Sequence, residues 1–247
     1  MEFERGKPVQ MYLNQKKIKA YKGETILAAL YASGIKSYCE SVKYSRPRGF
    51  FCGIGKCSSC LMRVNGIPRV RTCLTLVEDG MAIKYEKGHG EPPQASEVEV
   101  KDEKVDTDLI VIGGGPAGLS AAIIAAKLGV EVFIVDENPK PGGQLIKQTH
   151  KFFGSKYNYA AVRGIEIAEV LLKDLRESYA KWIVNASAIG YYKNRKHLIA
   201  VVQNDHKLIE VSAAKIIVST GARENTLLFP NNDLPGIYGA GGVQTLM

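Results

Sequence analysis

Short extended runs and a single helical spacing mark the first part of the chain. Ile26 with Leu30, and Leu27 with Tyr31, lie four residues apart and place apolar side chains on one helix face. This pattern predicts a small, strand-rich unit with one helix. The predicted elements are a hairpin of 9–13 with 18–21, a helix over 25–33, and a hairpin of 61–64 with 67–71 that turns at Asn65-Gly66.

Longer apolar runs and a second amphipathic helix mark the rest of the chain. A buried-strand pattern at 108–112, a small-residue helix at 116–128 and another strand at 131–135 predict a βαβ unit. Apolar residues from Ile165 to Tyr179 recur three and four residues apart, which predicts one more helix with a single apolar face. Three extended runs then predict a meander, near 182–192, 198–203 and 208–218.

Between these parts lies a segment with glycines, prolines and alternating Glu and Val, but no helical period. We therefore predict a first domain over 1–87, a linker over 88–106 and a second domain over 107–247. A length of 247 residues also favours two compact units over one.

Charge is concentrated in the first domain. Residues 1–87 contain 16 Lys and Arg against 7 Asp and Glu, while the whole chain has a formal net charge of +8. No recognition helix and no interleaved aromatic and basic stripe accompanies this excess, so nucleic acid is not the predicted partner. We interpret the excess as a solvated surface that could face an acidic partner.

The sequence predicts a cytoplasmic protein without a membrane span. The N-terminus is charged and has no apolar signal region. The uncharged stretch 109–126 is interrupted by Gly113, Gly114, Gly115 and Pro116, so a strand, a turn and a buried helix explain it better than a membrane helix.

Four cysteines form the pattern C-x4-C-x2-C-x12-C, which is typical of a plant-type [2Fe–2S] cluster. Thiolates are suitable iron ligands, and Gly53 and Gly55 allow the loop to curl so that backbone amides point at sulfur. A structural zinc site is the alternative, although zinc favours paired C-x2-C units. The predicted ligands are Cys52, Cys57, Cys60 and Cys73.

Between the first strand and first helix of the second domain lies a G-x-G-x-x-G motif. Gly113 allows the sharp turn, Gly115 permits a pyrophosphate to approach the helix N-terminus, and Gly118 lets helix and strand pack closely. Asp136 ends the next strand, 18 residues after Gly118, and is predicted to accept a hydrogen bond from a ribose hydroxyl. This arrangement favours FAD or NAD over a cofactor with a 2′-phosphate. The predicted contact residues are Gly113, Gly115, Pro116, Ala117, Gly118, Asp136, Glu137, Gly143, Gln144, Thr220 and Gly221.

These motifs resemble a known family of redox proteins. The run Cys52-Gly-Ile-Gly-Lys-Cys-Ser-Ser-Cys is similar to the [2Fe–2S] ferredoxin-like domain of the alpha subunits of heteromeric amine and imino-acid dehydrogenases, such as sarcosine oxidase, proline dehydrogenase, opine oxidase and hydrogen cyanide synthase. The loop 113–118, Asp136, the run 142–145 and Ser219-Thr-Gly-Ala-Arg are similar to their dinucleotide-binding part. The resemblance implies an α+β β-grasp domain followed by an α/β Rossmann-like domain.

For function, the resemblance implies an oxidoreductase subunit that is not active alone. It would pass electrons from the flavin of a substrate-oxidising partner subunit through FAD and a [2Fe–2S] cluster to an acceptor, with NAD as the alternative to FAD. No acid–base or nucleophilic constellation is recognisable in the sequence, so we predict no catalytic residue. Two alternatives stay open: an NADH-dependent reductase that feeds the cluster, and a non-catalytic electron-transfer or assembly subunit.

The sequence departs from that family at its C-terminal end. A complete flavoprotein of this kind continues beyond the Thr-Gly strand, whereas this sequence ends at Met247 within an expected helix over 239–247. We therefore expect an incomplete dinucleotide-binding domain, either truncated or completed by another polypeptide.

Overall fold

The chain forms two compact units in a computed structural model that describes residues 5–92, 101–193, 196–203 and 207–246. The first unit comprises Met1–Ala95 with Arg223–Met247, and the second comprises Ser96–Ala222. This division differs from the sequence-based one at the C-terminal end, because the predicted domain 107–247 assigns residues 223–247 to the second domain.

The first unit is built on a mixed five-stranded sheet with the strand order β2-β1-β7-β5-β6. Strands β1 and β7 are parallel, and the other neighbouring pairs are antiparallel. Strands β3 and β4 form a separate two-stranded ladder. The elements are β1 (Pro8–Leu13), β2 (Lys16–Tyr21), α1 (Ile26–Ala32), β3 (Cys39–Glu40), β4 (Pro47–Arg48), β5 (Leu61–Val64), β6 (Ile67–Arg71) and β7 (Ala82–Lys84).

Local chemistry explains the predicted hairpins and helix of this unit. Asn65 and Gly66 adopt φ values of 49° and 86°, as a tight hairpin turn requires. The Thr25 hydroxyl accepts a hydrogen bond from the Ala28 amide at 3.2 Å and caps α1. Apolar side chains of α1 and of the sheet then form one core. Its largest fully buried members are Met11, Ile26, Leu30, Tyr38, Met62 and Ile83.

The second unit has a six-stranded sheet with the order β10-β9-β8-β13-β12-β11. Strands β10, β9, β8 and β13 are parallel, whereas β12 and β11 are antiparallel additions. The elements are β8 (Lys101–Ile112), α2 (Pro116–Lys127), β9 (Val132–Val135), α3 (Gly164–Glu177), β10 (Lys181–Ile183), β11 (Ala186–Lys193), β12 (His197–Gln203) and β13 (Lys207–Val218).

Strand β8 supports both faces of this sheet. Leu109 and Val111 pack with α2 and α3, and Ile110 points to the opposite face and packs with the meander strands, because side chains alternate along a strand. The predicted α+β and α/β classes are therefore confirmed. The strand begins inside the predicted linker 88–106, so residues 101–106 belong to a strand. Positions 93–100 of that linker lie outside the described residues.

Residues 223–246 pack within the first unit and end in helix α4 (Ala240–Leu246). The Gly239 amide donates to the Phe51 carbonyl at 3.0 Å, and the Tyr238 and Tyr31 hydroxyls lie 2.8 Å apart. None of the described helices is long and apolar enough to cross a membrane.

Candidate redox-cofactor sites

The predicted cluster ligands come from one loop and the end of one hairpin. Cys52, Cys57 and Cys60 lie between β4 and β5, and Cys73 follows β6. The loop curls because three of its residues adopt positive φ angles. These are Gly53 at 63°, Gly55 at 72° and Ser58 at 59°. Cys57 is half-buried, whereas Cys52, Cys60 and Cys73 are buried. Folding therefore brings all four cysteines into one part of the first unit.

The four thiols shift one another's pKa values in two pairs, Cys52 with Cys57 and Cys60 with Cys73. The Cys57 thiol lowers the pKa of Cys52 to about 5, and the Cys73 thiol lowers the pKa of Cys60. The neighbouring thiol and burial raise the pKa values of Cys57 and Cys73. Among the described residues, no three His, Cys, Asp or Glu side chains converge as the ligands of one metal ion would.

Backbone amides point at these sulfur atoms. The Ile54 amide donates to the Cys52 Sγ at 3.4 Å, and the amides of Lys56 and Cys57 also lower the pKa of Cys52. The Gly55 amide also acts to lower the pKa of Cys73, against the larger effects that raise it. Such donors would stabilise thiolates, and four thiols with nearby amide donors are the kind of ligand set that a binuclear iron–sulfur centre would take. The donor set therefore fits a [2Fe–2S] cluster, and its assignment to these four residues stays a prediction.

Cys39 is directed elsewhere. Its thiol donates to the Ser59 carbonyl at 3.5 Å, and burial raises its pKa. This contact attaches the β3 strand to the cysteine loop without adding a thiol to either pair.

The glycine-rich loop 113–118 connects β8 to α2. Gly113 has φ 104°, and a Cβ on it would lie 2.7 Å from the Ser219 carbonyl carbon. A Cβ on Gly118 would collide with the Gly113 carbonyl oxygen and reach the Ser219 Oγ at 2.5 Å. At Gly115, which caps α2, the nearest atom to an added Cβ would be the Gly143 Cα at 3.9 Å. Two of these glycines are therefore needed for packing, and Gly115 leaves space at the N-terminus of α2.

A second glycine loop packs against the first. The Gly142 amide donates to the Gly114 carbonyl at 2.7 Å, and a Cβ on Gly143 would lie 2.8 Å from the Gly115 Cα. The predicted contact residues Gly143 and Gln144 begin a short 3-10 helix, and Gln144 is exposed. Backbone from both loops thus borders the space at Gly115, which is the kind of surface that lets a phosphate approach closely.

Asp136 is 4% exposed, and its own chain already occupies both carboxylate oxygens. Oδ2 accepts from the Gly114 amide at 2.6 Å, and Oδ1 accepts from the backbone and side-chain nitrogens of Asn138 at 2.7 and 2.9 Å. Asp136 therefore holds the glycine loop at the end of β9, and its contact with a ribose stays a prediction. The sequence analysis missed Asn138, although Asn two residues after an acidic strand end is a turn signal. Glu137 is exposed.

The end of β13 also supports the glycine loop. The Ser219 hydroxyl donates to the Gly113 carbonyl at 2.8 Å and lies 3.1 Å from the Ile112 carbonyl. Thr220 and Gly221 follow in an exposed segment, and Pro116 and Ala117 are exposed in the first turn of α2. The structure brings the 113–118, 142–143, 136–138 and 219 positions together, while the cofactor contacts of the exposed residues stay predictions.

Two family models match the chain. Residues 6–88 match a 2Fe-2S iron-sulfur cluster binding domain, and residues 107–246 match the pyridine nucleotide-disulphide oxidoreductase family. A [2Fe–2S] cluster and a dinucleotide of the FAD or NAD(P) type are therefore the cofactors of this chain, and the chain is of oxidoreductase type.

Similar proteins agree with these matches. The alpha subunit of sarcosine oxidase from Corynebacterium sp. (strain U-96) is 25% identical over 270 residues, which cover 98% of this chain and 27% of the relative. One of the subunits of opine oxidase from Agrobacterium tumefaciens (strain Ach5) is 30% identical over 143 residues, or 56% of this chain and 28% of the relative.

Among solved structures, L-proline dehydrogenase from P. horikoshii matches with a TM-score of 0.81 and 31% identity, and the match covers 100% of this chain and 47% of that chain. The chain spans about a quarter of the length of the sarcosine oxidase and opine oxidase relatives. The predicted resemblance to subunits of amine and imino-acid oxidising complexes is confirmed. The chain belongs to the pyridine nucleotide-disulphide oxidoreductase family and carries, ahead of that part, a 2Fe-2S cluster binding domain.

Proposed function

We propose that this chain is the electron-transfer component of a heteromeric amine or imino-acid dehydrogenase or oxidase. In this proposal a partner subunit oxidises the substrate at its own flavin, and this chain passes the electrons to an acceptor. FAD is the proposed dinucleotide, with NAD as the alternative. The observation that carries the proposal is the presence in one chain of both a 2Fe-2S cluster binding domain and a dinucleotide-binding family match.

The combination of cofactors explains why a transfer role is proposed. When bound, a cluster supplies one-electron chemistry and a flavin exchanges one or two electrons, so together they join two-electron oxidation to one-electron carriers. The relatives support the substrate class, because two belong to a sarcosine oxidase and an opine oxidase, and one is an L-proline dehydrogenase.

The chain's own residues have separate tasks in this proposal. The amides of Ile54 and Gly55 hold negative charge on sulfur, because they donate toward Cys52 and Cys73. Gly115 leaves the N-terminus of the 12-residue helix α2 open to a pyrophosphate, where the helix dipole favours negative charge. Asp136 keeps the loop in that shape through its hydrogen bond to the Gly114 amide.

Purified protein tests the cofactor part of the proposal. Flavin and cluster absorption together, with iron and labile sulfide in equal amounts, are expected. Bleaching of the cluster by NADH without a partner would favour the reductase alternative. Cluster absorption with no bound dinucleotide would favour the alternative of a non-catalytic subunit.

Turnover assays test the transfer role. The isolated chain is assayed with sarcosine, proline and an opine plus an acceptor dye, and the assay is repeated with the partner subunit co-purified from the native source. Activity only after addition of the partner is expected, and the partner alone serves as the control. Substantial turnover by the isolated chain would contradict the proposal.

A further inference from the structure

A cleft of about 580 Å³ lies within the first unit, beside the cysteine loop. Phe51, Cys52 and Cys57 form part of its wall, and the C-terminal segment contributes residues 223–226, 232–234 and Ile237. Neither the family matches nor the proposed function assigns a role to this cleft.

The cleft reaches one thiol pair. Cys52 and Cys57 line it, whereas Cys60 and Cys73 are buried and do not line it. Cys57 is also the half-buried member of the four cysteines. A molecule in the cleft would therefore approach the cluster at the Cys52–Cys57 edge.

Positive charge dominates the cleft. Its cationic side chains are those of Arg46, Arg48, Lys56 and Arg223, and its carboxylates are those of Glu224 and Asp233. Both carboxylates are engaged by their own chain. Their partners are Arg46 Nη2 at 3.1 Å and Arg48 Nη2 at 3.4 Å for Asp233, and the Ala240 and Gly241 amides at 2.6 and 3.4 Å for Glu224.

The rim adds an exposed aromatic ring and further polar groups. Tyr44 is 66% exposed, and the Lys43 Nζ lies 5.1 Å from the centre of its ring. Asn225, Thr226 and Asn232 add amide and hydroxyl groups to the lining. A polar, positively charged surface with a projecting aromatic ring suits a transient, charge-steered protein encounter.

We propose that this cleft is the docking and electron-exchange site for an electron-carrying protein with an acidic surface. The proposal rests on the proposed function, because it assumes that the chain delivers electrons to an acceptor. The excess of cationic over acidic side chains in the lining attracts the acidic partner, and the Cys52–Cys57 edge is the part of the cluster that the partner approaches. The exchange itself moves one electron from the reduced cluster to the carrier, with no bond formed and no proton transferred.

The same positive charges could instead serve to offset the negative charge of a cluster with four thiolate ligands. The two roles make different predictions. A change in cluster potential alters the rates of electron transfer to all acceptors in the same direction, whereas a change in local charge alters the rates for acidic and basic acceptors in opposite directions.

Two small redox proteins of opposite surface charge serve as probes: plastocyanin, which is acidic, and cytochrome c, which is basic. The holoprotein is reduced anaerobically and mixed with each oxidised probe in a stopped-flow instrument at several ionic strengths. The variants are Lys56→Glu and Arg223→Glu. Lys16→Glu, an exposed position on β2 outside the cleft lining, is the matched control for the charge change.

For the wild type, we expect faster reduction of plastocyanin than of cytochrome c at low salt, with a difference that declines as salt screens the charges. Each cleft variant is expected to slow plastocyanin reduction about tenfold and to accelerate cytochrome c reduction, while Lys16→Glu changes neither rate substantially. Rates that change in the same direction for both probes, or an equal effect of Lys16→Glu, would overturn the proposal.

Binding and cofactor measurements distinguish a failure of the docking proposal from a failure of the proposed function. Calorimetry with reduced plastocyanin, which cannot accept a further electron, is expected to give binding that weakens in both cleft variants. Iron, labile sulfide and the cluster midpoint potential are measured in every variant. If iron is present but the charge dependence is absent, only the docking proposal fails; if the wild type holds no iron, the proposed function fails with it.

Discussion

The cysteine loop and the glycine loops present opposite solutions to the binding of a redox cofactor. In the first unit, side-chain sulfur atoms face one another and backbone amides donate to them. In the second unit, the backbone borders the open space at Gly115, and the acidic side chain of Asp136 is turned inward onto Gly114 and Asn138. The comparison teaches that a motif residue can either contact a cofactor or shape the loop that does.

The two kinds of site should respond differently to substitution. Removal of a thiol removes a ligand, so the effect on the cluster should be nearly complete. A change in a glycine loop acts through the space and the hydrogen bonds of that loop, so its effects should be graded according to what the new side chain meets.

The largest expected effect is loss of the cluster in Cys57→Ser. A hydroxyl is a poor substitute for a thiolate at iron, so iron and labile sulfide should fall sharply. Cys39→Ser is the control, because the Cys39 thiol contacts the Ser59 carbonyl and should leave both contents unchanged. Full iron content in Cys57→Ser would contradict the assignment of the ligands.

Next in size is loss of the dinucleotide in Gly115→Val. The branched side chain would fill the space at the N-terminus of α2, where only the Gly143 Cα lies near an added Cβ. Bound dinucleotide, measured after protein precipitation, should be absent while iron stays at the wild-type level. Joint loss of iron and dinucleotide would mean that the two sites depend on each other.

A loss of stability, and not only of binding, is expected in Gly118→Ala. The added Cβ collides with the Gly113 carbonyl and approaches the Ser219 Oγ, so the free energy of unfolding of the second unit should fall by about 1–3 kcal/mol. Gly115→Ala is the matched control, because its Cβ has only an ordinary contact at 3.9 Å. Equal stability of the two variants in denaturant titrations would refute the packing role of Gly118.

A smaller effect is expected in Asp136→Asn. The asparagine amide keeps one acceptor oxygen, but its NH₂ group would face either the Gly114 amide or the Asn138 nitrogens, which are themselves donors. The free energy of unfolding of the second unit should therefore fall by about 1–2 kcal/mol. Asp102→Asn is the comparison, since Asp102 is exposed on β8 of the same unit and should leave the unfolding midpoint unchanged. If Asp102→Asn destabilises the unit and Asp136→Asn does not, the inward role of Asp136 is wrong.

The smallest expected effect is that of Asp233→Asn. The variant removes the charge that pairs with Arg46 and Arg48, whose side chains are about one third exposed, so the first unit should lose at most about 1 kcal/mol. High salt should reduce the difference from the wild type in thermal unfolding, because screening weakens the same ion pairs. A difference that does not change with salt would argue against an ionic role.

The sequence predicts much of each unit, because the relevant signals are local. The Asn65-Gly66 turn, the first helix and the βαβ pattern around Gly113 each follow from residues close together in the chain. The cysteine spacing predicts a common location for four thiols, which the loop and the β6 end provide. Their division into two pairs depends on the curl of the loop and could not be read from spacing.

Two features depend on distant packing and were beyond the sequence analysis. The predicted second domain includes residues 223–247, yet the Tyr238 ring packs against Phe50 in a tilted arrangement, with ring centres 6.0 Å apart, in the first unit. No local pattern distinguishes a helix that continues one fold from a segment that returns to another. Likewise, an acidic residue at a strand end predicts a ribose contact, and only the structure reveals that Asn138 and the Gly114 amide already occupy the oxygens of Asp136.

The central claim is that electrons from an amine reach the cluster through the dinucleotide site of this chain. The most direct measurement is anaerobic addition of the amine substrate to the complex with the partner subunit, with the cluster followed by electron paramagnetic resonance. We expect the signal of the reduced cluster to develop in the wild-type complex within the turnover time and to be absent in the Gly115→Val complex, which retains its iron. Cluster reduction at the wild-type rate in Gly115→Val complexes that lack the dinucleotide would contradict the claim.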